Sequence, residues 1–158
     1  MPTGRKLIVL AGAALALAGG VVATTATASD SSAAAAIEKR QKILKALEAN
    51  MKPLALIARG RAPADKAVMI KHSNAIASYA KQVGPAFKTN TTSSSIENDA
   101  KPSIWTNKAD FDAKAAKFVA ASNALSSASA SGDASKFRSA LVTVGQTCKD
   151  CHQSYRDK

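Results

Sequence analysis

The sequence predicts an all-α fold, an antiparallel four-helix bundle with one long crossover, and three observations carry that prediction. Alanine and serine dominate the chain while aromatic residues make up only 4% of it, so helix-forming alanine outweighs the residues that favour strands. No stretch alternates apolar and polar residues with a period of two over a useful length. Four segments instead repeat apolar residues at the three-then-four spacing of one helix face.

Before the first of these segments lies a leader. Arg5 and Lys6 form a short basic start, Leu7 to Val22 is apolar or small throughout, and Ala26-Thr27-Ala28 is a small-residue cleavage pattern. This reads as a secretory signal peptide over 1–28, with an uncleaved anchor as the alternative. The mature chain is then 29–158, enough for one domain with one core.

The first helix is expected from about Ala33 to Arg59, with Ile37, Leu44, Leu47, Met51 and Leu54 on its buried stripe and Pro53 as a kink. The second starts at Pro63, carries Met69, His72, Ile76, Tyr79 and Val83, and stops at Gly84-Pro85. A polar Ser/Thr-rich crossover fills about Phe87 to Ile104. The third helix begins near Asn107, presents Phe111, Phe118, Ala121 and Leu125, and ends before Gly132. Asp133 caps the fourth, whose stripe is Phe137, Leu141, Val144, Cys148, Cys151 and Tyr155. Small alanines make such a core thin, and the thinness calls for another group to fill it.

The formal net charge is +11, and the mature chain stays basic without Arg5 and Lys6. There is no block of consecutive like charges and no interleaving of aromatic with basic residues, which argues against nucleic acid as a partner. In an exported protein a basic surface suits anionic partners, lipid headgroups or an acidic cofactor.

The only two cysteines stand in Cys148-Lys149-Asp150-Cys151-His152, the CxxCH pattern of covalent haem attachment. On a helix the thiols lie one turn apart and His152 four residues after Cys148, so all three share a face. Two thiols at that spacing suit the two vinyl groups of one porphyrin edge, with the imidazole reaching iron. Three other readings compete. A thioredoxin-like CxxC belongs at the start of a helix after a strand, a zinc site wants four ligands, and a disulfide between residues three apart closes almost no loop. Helical context near a chain end favours haem over all three.

With "CKDCHQSYR" near the C-terminus, "KRQKIL" in the first helix, "GRAPAD", "DAKPSIW" and "ADF", the mature chain resembles the class II cytochromes c, the cytochrome c-prime family. The resemblance implies a four-helix bundle carrying one covalently bound haem c near the end of its last helix. It assigns Cys148 and Cys151 to the haem, His152 to the iron as axial ligand, and Arg156 to the proximal side. It places Arg40 and Gln41 at the haem propionates and Asp99 in a loop that approaches the haem.

It also makes Leu44 the distal residue, where low-spin relatives carry a ligating methionine. Leucine has no lone pair to offer, so a high-spin, five-coordinate iron open to small diatomics is implied. A low-spin electron carrier with Met51 or His72 as sixth ligand is the alternative. Met51 reads more readily as flexible core filler, His72 as a half-buried interface residue, and Trp105 as a packing anchor. "VGPAF" departs from the family pattern at the end of the second helix.

The expected function is that of a periplasmic monohaem cytochrome, not an enzyme. It would transfer electrons to a redox partner protein, bind nitric oxide or carbon monoxide, or do both. A homodimer through the first two helices is implied by the resemblance. A non-haem thiol-disulfide or metal-binding helical protein is the reading from a different class.

Overall fold

The computed structural model describes residues 24–157, with side chains from residue 30 onward. The expected leader over 1–28 lies outside the described residues up to position 23. Five helices follow: α1 (Thr24–Ala58), α2 (Lys66–Ala86), α3 (Ser103–Thr106), α4 (Lys108–Ser131) and α5 (Ala134–Tyr155). The four long ones form the expected bundle, and α3 is a single turn inside what reads in the sequence as an irregular crossover.

The chain's own chemistry sets most helix ends. Asp65 Oδ1 accepts from the backbone N–H of Ala67 (2.7 Å) and Val68 (3.1 Å), so α2 starts at Lys66 rather than at Pro63. Its other end also differs from expectation, because α2 runs through Gly84-Pro85 to Ala86. Proline removes one N–H, a small loss in a last turn, and the Gly84 and Pro85 carbonyls still accept from Phe87 (3.1 Å) and Lys88 (3.2 Å). Gly132 ends α4 at φ 76, a left-handed conformation that glycine adopts without strain. One residue on, Asp133 Oδ1 accepts from Ser135 N (2.9 Å) and Lys136 N (3.0 Å) and starts α5.

Helix α1 packs along α2, α2 along α4 and α4 along α5, whereas α1 and α5 touch only slightly. The core gathers Leu54 and Ile57 from α1, Ile76 from α2, Phe111 and Leu125 from α4, and Phe137 and Val144 from α5. Rings stack at one end: Phe87 against Phe111 at 5.0 Å, and Phe111 edge-on to Tyr155 at 5.3 Å. The α1 stripe is rotated from the expected one. Ile43 is buried and Leu44 is 41% exposed, because the core side of α1 is set by Ile43, Leu47 and Leu54, and Leu44 falls on the flank beside them. Met51 is half-buried against the core.

Candidate haem site

Helix α5 is continuous through the CxxCH motif, so Cys148, Cys151 and His152 are presented from consecutive turns. Both cysteines are half-buried and unbridged. Burial pushes the Cys148 thiol above its ordinary pKa, and burial followed by the neighbouring Cys148 does the same for Cys151. A thiol-disulfide exchanger needs the opposite shift, since the thiolate is its nucleophile. Partial burial, followed by the Arg156 cation, lowers the His152 pKa. Both causes favour the neutral ring, the form that has a lone pair to give. Among the described residues no three His, Cys, Asp or Glu side chains gather as a protein-only metal site.

The crossover fixes the end of α5. Ala100 and Arg156 form an isolated antiparallel bridge. Lys101 N donates to Tyr155 O (3.1 Å), Asp157 N to Asp99 O (2.8 Å), and Ser103 Oγ to Ser154 O (3.2 Å). Arg156 Nε and Nη2 fork onto Asp99 Oδ2 at 3.0 and 2.9 Å. From the core side, Tyr155 donates its hydroxyl to Asp110 Oδ2 at 2.6 Å, tying α5 to the first turn of α4. An open groove of about 880 Å³ runs beside His152, lined by Lys101, Lys149, Gln153, Arg156 and Asp157.

Facing this end across the loosely packed seam is one flank of α1. Gln41, Leu44 and Glu48 share that flank at helical spacing and are exposed. Lys52, at 2.9 Å, is the main cause of the lowered Glu48 pKa, and Arg156 of α5 adds to it, which puts Glu48 in the field of the α5 terminus. Further along α1 the same flank opens into a groove of about 440 Å³ that includes Met51, Ala55 and Leu56.

Arg40 has an occupation the sequence does not announce. It is 3% exposed, and its guanidinium donates to Ala86 O (2.9 Å), Thr91 Oγ1 (2.8 Å) and Thr89 O (2.5 Å). It also lies over the rings of Phe87 (4.8 Å) and Trp105 (5.2 Å). Trp105 Nε1 closes the cluster by donating to Phe87 O at 3.0 Å, so the expected packing anchor is one.

His72 sits on the other side of α1. Asn50 Nδ2 donates to Ala46 O (2.7 Å), so its Oδ1 is an acceptor, and His72 Nδ1, 2.8 Å away, carries the hydrogen. Asn50 comes six residues after Leu44, roughly 240° around the helix, which places His72 at the α1–α2 seam. The structure thus brings Cys148, Cys151, His152, Arg156 and Asp99 to one end of α5, leaves Gln41 and Leu44 exposed on α1, and gives Arg40 to the crossover. Sequence reasoning misses Thr89, Thr91 and Glu48, for which no local motif exists, and gives no role to Asp110, although it stands within "ADF".

Two half-buried thiols and an imidazole on one helix face, beside helices α1 and α5 that barely touch, suit a flat apolar group bonded through sulfur. Fold and site together define a c-type haem protein on a helical bundle. A family model described as cytochrome c' matches residues 35–156. Cytochrome c' of Pararhodospirillum photometricum is 35% identical over 121 residues, spanning 77% of this chain and 95% of that one. The crystal structure of cytochrome c' from Rubrivivax gelatinosus superposes with TM-score 0.73 at 31% identity, covering 77% of this chain and 94% of its own. The nitric oxide complex of a leucine-to-isoleucine mutant of cytochrome c prime from Alcaligenes xylosoxidans gives 0.73 at 29% identity, covering 80% and 97%.

The chain belongs to the cytochrome c' family. Its cofactor is haem c, covalently attached near the end of the last helix.

Proposed function

We propose that this is a periplasmic monohaem cytochrome with a five-coordinate, high-spin iron that exchanges electrons and binds nitric oxide or carbon monoxide. Bound haem supplies an iron that cycles between two oxidation states and takes diatomic ligands. The chain supplies attachment through Cys148 and Cys151, an axial nitrogen from His152, and cover over the distal face from Leu44. Arg156 lies beside the proximal imidazole, and its fork to Asp99 holds the crossover against that side. Gln41 and Arg40 serve the propionate side. A guanidinium has five N–H donors, so the three crossover bonds of Arg40 do not exhaust it.

The observation that carries this reading is Leu44, an exposed branched apolar residue on the α1 flank that faces the α5 end. A leucine over iron excludes water and donates no hydrogen bond, which suits neutral diatomics that need neither. The Alcaligenes xylosoxidans relative solved with nitric oxide supports gas binding. The basic start, apolar run and small-residue site over 1–28 support export, and no helix among the described residues is long and apolar enough to cross a membrane. A redox partner protein and a homodimer through α1 and α2 complete the proposal, with His72 and Asn50 at the α1–α2 seam. The roles proposed here require no catalytic turnover, and a purified haem form that oxidised a peroxidase dye with peroxide would contradict that assignment.

Optical spectra of the purified mature protein, oxidised, reduced, and reduced under carbon monoxide, test the reading. A high-spin reduced spectrum converted cleanly by carbon monoxide is expected. A sharp low-spin band unmoved by carbon monoxide would assign a sixth side-chain ligand and leave electron transfer alone. Absence of a Soret band would favour a non-haem protein.

A further inference from the structure

Four glycines lie among the described residues, and two of them adopt a backbone conformation that calls for glycine. Gly60 and Gly132 adopt left-handed φ of 69 and 76. Gly84 lies where α2 approaches α4 and just before Pro85, and a Cβ there would sit in ordinary contact with Ala115 Cβ at 3.8 Å. Gly145 has none of these. It lies in the interior of α5, is exposed, and a Cβ built on it finds no neighbouring atom within 4 Å. Glycine in an exposed helix interior weakens the helix relative to alanine, so the chain carries a local loss that its own packing does not require.

Its position suggests the use. Gly145 precedes Cys148 by three residues and His152 by seven, so at 3.6 residues per turn it lies on nearly the same face as His152, two turns earlier. A haem bonded through Cys148 and ligated by His152 would lie along that face, and α1 barely touches α5. We infer that Gly145 is a clearance position for the haem: a hydrogen in place of a methyl lets the porphyrin edge lie close to the α5 backbone between the attachment turn and the turn before it. The inference rests on the haem reading above. It adds a positioning residue outside CxxCH, one that sets how closely the ring lies against the helix and so how the His152 bond is directed.

The test uses the purified holoprotein with Gly145→Ala and Gly145→Val. At an open helix position, alanine raises the folding constant by about fivefold. Crowding of the haem predicts the reverse in urea unfolding of the holoprotein, more strongly for valine. A displaced Soret band and an altered carbon monoxide association rate are expected with it. A gain in stability for Gly145→Ala, or a loss with spectrum and association rate unchanged, overturns the inference and leaves the haem reading intact. Wild-type protein without thioether-bound haem overturns both.

Discussion

Two successive turns of α1 are built in opposite ways, although Arg40 and Leu44, four residues apart, lie on nearly the same face. At the first, Arg40 is enclosed by the α2 terminus and the crossover, with three acceptors and two rings arranged around its guanidinium. At the second, Leu44 is 41% exposed and Glu48, a turn further on, lies in the field of Arg156. The first turn is closed by the polypeptide. The second is left open, and in the proposed reading the haem closes it, which links stability there to the cofactor rather than to the chain alone. That division explains how a bundle with many small core residues holds together.

The largest test removes the group proposed to close the second turn. Replacing both thiols, Cys148→Ala with Cys151→Ala, should abolish covalent attachment, so acid extraction releases all colour and the intact mass equals that of the bare chain. A double variant that kept its haem through extraction would remove the cysteines from the site. The α1–α2 side should be affected least, and hydrogen exchange would then show protection persisting around Arg40 while it falls along α1–α5.

Next in size is a break in the first turn. Arg40→Met keeps an apolar stem but strands Ala86 O, Thr89 O and Thr91 Oγ1. The expected loss is about 3 kcal/mol, the range for disrupting a buried hydrogen-bond network. Urea unfolding of the holoprotein measures it. A loss under about 1 kcal/mol would mean the crossover holds its place without Arg40, and the contrast between the two turns would fail.

The same contrast separates what was legible in the sequence from what was not. Local signals stood out: four helical periodicities, the Asp133 cap after Gly132, and the CxxCH spacing, because each is written within one or two turns. Arg40 was legible through the resemblance alone, because its acceptors lie 46 to 51 positions away at the end of α2 and in the loop after it, whose path no periodicity fixes. The Asp99–Arg156 pair spans 57 positions for the same reason. Leu44 was placed on the stripe because one residue of helix rotation separates Ile43 from Leu44, and sequence alone does not set that rotation. The α2 terminus was misjudged by treating Gly84-Pro85 as a stop, where a last helical turn tolerates it.

A smaller effect concerns pH at the end the two regions share. The Tyr155 hydroxyl is the main cause of the lowered Asp110 pKa, and Lys114 contributes less. Burial, followed by the Asp110 bond, pushes Tyr155 up to about 12. A depressed carboxyl stabilises the fold above its ordinary range, and the contribution is lost as pH falls through the depressed value. A raised phenol works the other way, in full below about pH 10 and fading as pH climbs toward the folded value. Tyr155→Phe should flatten the alkaline limb and shallow the acid limb of stability against pH. An unchanged alkaline limb would mean the phenol does not report on folding.

The smallest effect is expected at the Asp99–Arg156 fork. Two guanidinium nitrogens share the single oxygen Asp99 Oδ2, and the two side chains are 59% and 56% exposed, so water and salt screen the pair and the net value is less than about 1 kcal/mol. Asp99→Asn should therefore cost little in urea unfolding, and that little should vanish in high salt. The backbone bonds from Lys101 N to Tyr155 O and from Asp157 N to Asp99 O remain in the variant and hold the crossover in place. Freeing Arg156 from its carboxylate leaves an uncompensated cation beside His152, whose pKa that cation already lowers. The reduction potential of the haem should rise in the variant, since a nearby positive charge favours the reduced, less positive iron. A potential that stayed fixed at low salt would show that the fork holds the loop and leaves the iron untouched.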